Sequence, residues 1–124
     1  MRGKFFLLFS VATLLSLMLV TPAMAGELTV VSPSFGDGEM IPAKHSKDGD
    51  NLSPEISWTC DVEGVVSYAL IFDDPDAPGN AFVHWIVYNI PPTVTLIPEG
   101  QPKGREIAGI GLQGLNSWKS AAYG

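Results

Sequence analysis

Residues 65–90 decide the fold of this chain and have the sequence VVSYALIFDDPDAPGNAFVHWIVYNI. Two apolar runs, Val65 to Phe72 and Phe82 to Ile90, are rich in β-branched and aromatic residues, and such runs predict β-strands. Both runs are apolar at successive positions, so we expect each strand to be covered on both faces, as in a sandwich. The nine residues between the runs are too many for a tight hairpin and too few for a crossover helix. The stretch therefore predicts two central strands of a β-rich domain.

The remainder of residues 26–124 adds strands and loops. Glu55 to Cys60 alternates polar and apolar residues, which predicts a half-buried strand with Trp58 in the core. Leu28 to Val31 is a short β-branched run, which predicts another strand. This part of the sequence contains no internal repeat, linker or amphipathic helix of useful length. We therefore predict one predominantly β domain over residues 26–124.

Composition and charge exclude several classes of protein. The chain has 13 acidic and 7 basic side chains and a net charge of -6, whereas nucleic-acid binding needs a basic surface, so we expect no nucleic-acid partner. The single cysteine, Cys60, excludes an internal disulfide framework, and the spacing of His45 and His84 matches no zinc pattern. The sequence also lacks the fingerprints of dinucleotide sites, phosphate-binding loops and serine-hydrolase elbows. We therefore expect no metal, no cofactor and no enzymatic activity.

Residues 1–25 have the pattern of a secretory signal peptide. Arg2 and Lys4 precede an apolar run of 16 residues, Phe5 to Val20, and Ala23-Met24-Ala25 matches a cleavage site. The run is shorter than the roughly 20 residues that span a bilayer as a helix, so we expect cleavage rather than a retained membrane anchor. The compact signal is typical of bacterial export, which predicts a periplasmic or secreted protein.

Three carboxylates lie within four positions after the first central strand, at Asp73, Asp74 and Asp76. Carboxylates this close repel each other and need backbone amides, a cation or a proton-sharing ligand around them. Two interpretations remain open. For the cluster alone we favour a turn in which the side chains accept backbone N–H groups, and the alternative is a ligand site.

His84 strengthens the ligand-site interpretation because it lies at the start of the next strand, directly after this loop. From that position its imidazole can reach back to the acidic residues, and a charged imidazole would donate to a phosphate or carboxylate ligand. An isolated histidine is more often a core residue bonded to a backbone carbonyl. Along the strand, period-2 alternation opposes His84 to Trp85 and Val87. The same alternation places it on one face with Phe82, Ile86, Tyr88 and Ile90.

The chain resembles a known family in the same central stretch. Asp74 to Pro78, followed by Phe82 to Pro91 with its His84-Trp85 pair, is similar to the phosphatidylethanolamine-binding protein (PEBP) family, specifically its bacterial Raf-kinase-inhibitor-like branch. The resemblance covers nearly all of residues 26–124. Its further parts are Ile41-Pro42, Asn51 to Trp58, Gly114-Leu115-Asn116 and Tyr123-Gly124. It implies an all-β fold, namely an antiparallel Greek-key β-sandwich with a small pocket at one end for phosphate-like or carboxylate anions.

By this resemblance, Asp74, Asp76 and His84 are the ligand-binding residues of the pocket. His84 would donate to an anionic oxygen, and Asp74 would orient the imidazole or share a proton with the ligand. Asp76 would brace the loop or meet an amine head group. The implied partner is a small anionic ligand, namely phosphate, acetate or a phospholipid head group.

The sequence departs from the family pattern at its end. In the family, the Tyr-Gly pair that corresponds to Tyr123-Gly124 is followed by a Gly-Pro-Cys-Pro-Pro-type loop and a His-Arg-Tyr-type strand, and this sequence stops before them. The resemblance therefore implies that the C-terminal part of the sandwich is missing and that the pocket is incomplete. An uncovered apolar face would favour a homodimer. Three explanations account for the missing part, given in the order in which we favour them. They are a fragment of a longer protein, a prematurely ended reading frame and a short domain that folds with a partner.

The expected function is that of an exported protein that binds a small phosphate- or carboxylate-bearing ligand without turnover. The alternative from another class is a secreted protease or kinase inhibitor that acts through an exposed loop, residues 43–51. A non-functional truncated fragment is the remaining alternative. Asp74, Asp76 and His84 could in principle hold a divalent metal and activate water, but no motif selects this enzymatic interpretation.

Overall fold

The computed structural model describes residues 26–79 and 81–124, and the predicted signal peptide lies outside these residues. The described residues form seven β-strands and one 3-10 turn at Ala43–His45. The strands are β1 (Leu28–Val31), β2 (Ile56–Cys60), β3 (Tyr68–Asp74), β4 (Phe82–Ile90), β5 (Leu96–Ile97), β6 (Glu106–Ile107) and β7 (Gly111–Gln113). The prediction of an all-β fold is confirmed. Within the same residues, no helix has the length and apolar character needed to cross a membrane.

The strands form two antiparallel sheets that pack face to face. One sheet has the order β1-β2-β5 and the other has the order β3-β4-β7-β6. The hydrophobic core between them draws on both sheets, so burial of apolar side chains holds the two layers together. Its buried members are Ile56, Trp58, Trp85, Val87, Ile90, Ile97, Ile107 and Tyr123.

The predicted strands match the structure with one clear shift. β4 has the predicted bounds, and β2 begins one residue later than predicted, with Ile56 and Trp58 buried. β3 begins at Tyr68 rather than Val65 and continues two residues beyond its predicted end. Pairing accounts for the later start, because Tyr68 lies opposite Ile90, the last residue of β4.

The prediction that both central strands are covered on both faces is wrong for β3. Its side chains alternate between half-buried and exposed positions, and Ile71 is 63% exposed on the face turned away from the core. β3 lies at the end of the four-stranded sheet, whereas β4 lies between β3 and β7. In the part of the chain that the structure describes, β3 pairs with one strand only, and its apolar sequence alone does not bury it.

A β-bulge in β4 repositions His84. Phe72 lies opposite Trp85, but the next residue of β3 lies opposite Val83. His84 is therefore an extra residue on β4, and such a residue breaks the two-residue alternation and re-aims a side chain. His84 turns to the same face as Phe72, with ring centroids 6.5 Å apart. The predicted opposition of His84 to Trp85 is wrong for this reason.

A second irregularity lies near the end of β4. The step from Tyr68 to Leu70 on β3 spans two residues, whereas the paired step from Ile90 to Val87 on β4 spans three. Asn89 has a left-handed backbone conformation (φ 54°), which asparagine tolerates better than most residues. The extra residue brings Ile90 into the core with Val87, so the predicted face of Ile90 is also wrong.

Candidate functional site

A cleft of about 330 Å³ opens where β3 ends and β4 begins. Its walls come from the loop before β2, from these two strand ends and from the last described residues. The titratable residues that line it are His45, Asp73, Asp74, His84 and Tyr123. Two of the three predicted ligand-binding residues, Asp74 and His84, therefore lie at one cleft. The third, Asp76, is not among the residues that line it.

His84 is half-buried, its ring packs against two aromatic rings, and one ring nitrogen makes a hydrogen bond. The ring of Phe82 lies 4.9 Å from the imidazole between centroids, and Phe72 meets the imidazole edge-on. Nδ1 lies 2.5 Å from the backbone oxygen of Gly124. A backbone oxygen only accepts, so Nδ1 carries a proton and donates it. This hydrogen bond leaves Nε2 as the ring nitrogen for a further partner.

The acidic loop is in part the turn that the sequence predicts. Oδ1 of Asp74 accepts the backbone N–H of Asp76 at 2.9 Å, which closes an Asx-turn around Pro75. Asp76 is exposed, and its backbone rather than its carboxylate makes this contact. Asp74 is half-buried, and the turn uses only one of its two carboxylate oxygens.

His45 lines the same cleft, although sequence reasoning did not assign it to the site. It is 1% exposed, and its Nδ1 donates to the carbonyl oxygen of Leu52 at 2.8 Å. Within the described residues its Nε2 has no hydrogen-bond partner and lies 3.8 Å from Oε2 of Glu99. The hydrogen bond from Lys44, at 2.6 Å, holds the pKa of the Glu99 carboxyl below its usual range. A charged carboxylate therefore stands next to the buried imidazole.

Tyr123 joins the cleft to the core. Its hydroxyl donates to the backbone carbonyl oxygen of His45 at 2.6 Å. Its ring meets those of Trp85 and Phe72 edge-on, with centroids 5.8 and 5.7 Å apart. Burial raises the pKa of the Tyr123 phenol, so the hydroxyl stays protonated and keeps its donor role. The family resemblance includes Tyr123, but these contacts join distant parts of the chain and have no local sequence signal.

Asn116 anchors the start of β4 and is 3% exposed. Its Nδ2 donates to the carbonyl oxygens of His84 and Ala122, at 3.3 and 2.9 Å. Its Oδ1 accepts the backbone N–H groups of Trp118 and Ser120, both at 3.0 Å. The buried amide thus uses both its donors and its acceptor, and it ties the last described segment to the strand that carries His84.

The cleft combines hydrogen-bonding groups with aromatic walls. An imidazolium at His84 can donate to an anionic oxygen, and the carboxylate of Asp74 can accept from a hydroxyl or an amine. Phe72 lines the cleft, and apolar surroundings strengthen such hydrogen bonds. Among residues 26–79 and 81–124, no three His, Cys, Asp or Glu side chains lie close enough together to hold a metal ion.

Comparisons with known proteins agree with the fold and with the family that the sequence resembles. The family model described as phosphatidylethanolamine-binding protein matches residues 31–124. The chain is 44% identical over 97 residues to the UPF0098 protein of Aquifex aeolicus, which covers 78% of this chain and 56% of that protein. It is 45% identical over 82 residues to LppC of Mycobacterium tuberculosis, a protein named as a lipoprotein, with 65% of this chain and 40% of that protein covered.

A solved structure extends the comparison to three dimensions. The fold matches the crystal structure of YbcL from E. coli, described as a member of the mammalian PEBP family, with a TM-score of 0.67 and 33% identity. That match covers 79% of this chain and 65% of YbcL. The chain therefore belongs to the phosphatidylethanolamine-binding protein family. It spans between 40% and 65% of the length of these three relatives.

Proposed function

We propose that this chain is the ligand-binding part of an exported PEBP-family protein, which binds a small phosphate- or carboxylate-bearing ligand without turning it over. In this proposal Asp74, Asp76 and His84 contact the ligand. The observation that carries the proposal is that Asp74 and His84 line one cleft at the junction of β3 and β4. The same two residues belong to the motif by which the sequence resembles the family.

His84 supplies the donor in this proposal. Because Gly124 accepts from Nδ1, Nε2 is the nitrogen that meets the ligand, and a protonated imidazole donates Nε2–H to an anionic oxygen. Asp74 accepts from a hydroxyl or an amine of the same ligand, since a fully charged anion beside a carboxylate would be repelled. Asp76, outside the lining residues, meets a group that projects from the cleft, such as an amine head group. A phosphate ester that carries an amine therefore suits the cleft better than acetate.

Titration calorimetry tests the ligand site, with inorganic phosphate, acetate and phosphoethanolamine as the probes. His84→Ala and Asp74→Ala should each weaken binding by about tenfold or more, because each removes a charge-assisted hydrogen bond. Asp48→Ala is the control, since Asp48 is exposed and lies outside the cleft. Unchanged affinity in both cleft variants would contradict the proposal, provided that circular dichroism shows the β-fold retained.

Export is the second part of the proposal. The signal-peptide pattern of residues 1–25 supports it, and the lipoprotein name of LppC fits export of a related protein. The intact mass of the protein from the periplasmic or extracellular fraction tests this part. A chain that begins at Gly26 is the expected result, and a chain that retains residues 1–25 would contradict cleavage.

A surface loop supports the alternative, a secreted protease or kinase inhibitor. The side chains from Ser46 to Asp50 are exposed, and both ends of the loop are held by the buried His45 and by Asn51 with its left-handed backbone (φ 53°). A loop held in one conformation loses little entropy on binding. Ser46 lines the cleft, so the test replaces residues 47–50 only by a Gly-Ser segment, which should abolish inhibition of a responsive enzyme while phosphate binding survives.

The intact protein distinguishes the three functional hypotheses. A panel of proteases and kinases that shows no response to it would contradict the inhibitor alternative. Failure of both the panel and the calorimetric titrations would leave the inactive fragment as the remaining explanation.

A further inference from the structure

Residues 116 and 117 contact the bulge in β4 that repositions His84. The hydroxyl oxygen of Ser117 accepts the backbone N–H of Val83 at 2.9 Å. In return, the backbone N–H of Ser117 donates to the carbonyl oxygen of Val83, also at 2.9 Å. Asn116 donates from Nδ2 to the carbonyl oxygen of His84 at 3.3 Å. Two neighbouring residues of the bulge are therefore bonded from one short segment.

The carbonyl groups of β4 show where the bulge is held. In a regular antiparallel strand successive carbonyl groups point to opposite edges, so every second one points to the same neighbour. The carbonyl oxygens of His84 and Ile86 follow this rule, since both accept from residues 114–124. The carbonyl oxygen of Val83 turns to the same side, although Val83 directly precedes His84. Ser117 therefore bonds the carbonyl group that the bulge turns out of phase.

The bulge decides whether the imidazole of His84 reaches the cleft. Without the extra residue, His84 would lie opposite Asp73, and regular alternation would turn it to the face opposite Trp85. With the extra residue, His84 lies on the same face as Phe72, which lines the cleft. The register of Val83 and the direction of the imidazole are therefore linked.

We propose that Ser117 is a positioning residue, which holds Val83 in the bulged register and thereby directs the imidazole of His84 into the cleft. This inference rests on the proposed function, in which His84 donates to the ligand. Ser117 is exposed and is not among the residues that line the cleft, so it acts on the ligand through His84. Apparent affinity falls with the fraction of molecules in the binding-competent form, so loosening the bulge weakens binding.

Titration calorimetry with phosphoethanolamine tests the proposal on the full chain in the form that its host processes. Ser117→Ala removes the acceptor of the Val83 N–H and should weaken binding by about three- to tenfold. Ser117→Thr keeps a hydroxyl and should restore the affinity to within about twofold of the natural value. Ser120→Ala is the matched control and should leave the affinity unchanged, because Ser120 contacts Asn116 through its backbone.

Nitrogen NMR of the imidazole reports the position of His84 directly. Its Nδ1 donates to the backbone oxygen of Gly124 at 2.5 Å, and the N–H of Gly124 donates back to the carbonyl oxygen of His84 at 3.2 Å. Ser117→Ala should move the Nδ1 resonance of His84, and Ser120→Ala should not. The chain has two histidines, so His84→Ala assigns the signal. A merely structural role for Ser117 would lower stability to urea without moving this resonance.

The outcomes separate this inference from the proposed function. If His84→Ala weakens binding and Ser117→Ala does not, the positioning role is wrong and the ligand site stands. An Nδ1 resonance that Ser117→Ala leaves in place also overturns the positioning role. If His84→Ala itself leaves the affinity unchanged, the proposed function fails, and the NMR comparison still decides whether Ser117 positions the imidazole.

Discussion

Strands β3 and β4 are neighbours with similar apolar sequences and very different burial. Trp85 and Val87 of β4 are fully buried and Ile90 is 1% exposed, whereas every residue of β3 is half-buried or exposed. Both sequences predict a strand covered on two faces, so composition does not explain the difference. Position in the sheet explains it, because within residues 26–79 and 81–124 β4 pairs with a strand on each side and β3 pairs with one.

The candidate site takes residues from both the buried strand β4 and the more exposed strand β3. The bulge on β4 turns His84 toward Phe72 of β3, and the end of β3 contributes Asp74 to the same cleft. A strand paired on both sides positions a side chain firmly, and an edge strand leaves its end accessible. The comparison of β3 with β4 therefore bears on function as well as stability.

Removing one aromatic side chain from each strand should give the largest difference in stability between changes in β4 and changes in β3. Trp85→Ala should lower the free energy of unfolding by about 3–5 kcal/mol, the range for a large buried aromatic residue. Phe72→Ala, directly opposite on β3, should cost roughly half as much because Phe72 is only partly buried. Urea denaturation measures both losses. Equal losses would contradict the contrast between the two strands.

The buried amide of Gln113 stabilises β4 through side-chain hydrogen bonds, and removing it should have a smaller effect on the free energy of unfolding. It accepts from Nε1 of Trp85 at 2.6 Å and donates to the carbonyl oxygens of Pro102 and Gly104 at 2.9 and 2.7 Å. Gln113→Ala leaves these groups without that partner and should cost about 1–3 kcal/mol of unfolding free energy. In a Trp85→Phe background the same substitution should cost less, because the indole N–H is gone. An unchanged cost in the double-mutant cycle would contradict the role of this hydrogen bond.

Tyr123→Phe tests the link between the cleft and the core aromatic residues of both strands. Loss of the hydrogen bond to His45 should cost about 0.5–1.5 kcal/mol of unfolding free energy near neutral pH. Burial raises the pKa of the phenol above its ordinary value of 10.0, so the folded state keeps the proton to higher pH than the unfolded state does. This contribution to stability is complete below pH 10.0 and is lost as the pH rises through the raised pKa.

The pH dependence provides the control for that variant. Tyr123→Phe has no phenol to ionise, so its stability should fall less than that of the natural chain between about pH 9 and pH 11. Thermal melts across this range compare the two proteins. The same alkaline loss in both would show that another group is responsible.

Ile71→Thr should have the smallest effect. Ile71 is 63% exposed, so the free energy of unfolding should change by less than about 0.5 kcal/mol. Val87→Thr on β4 is the matched substitution at a fully buried position, and it should cost clearly more because it buries a hydroxyl. Denaturation at low protein concentration measures both, and a similar loss at the two positions would mean that Ile71 is covered in the folded chain.

Sequence reasoning grouped the two candidate residues that lie in one local motif. Asp74 and His84 flank a single loop, so their approach follows from the chain itself. His45 and Tyr123 lie far from that loop along the chain and reach the cleft through a hydrogen bond between them and through packing on the core. No local pattern marks such contacts, and sequence reasoning missed their roles.

By itself, the sequence determined the all-β class, the bounds of β4 and the family. These follow from local properties, namely apolar runs, turn residues and the Asp74 to Trp85 motif. Only the tertiary structure decided where β3 begins, which face His84 occupies and which of the two central strands is buried. Each of these depends on strand register and on neighbours across the sheet, and a shift of one residue in register moves a side chain to the opposite face.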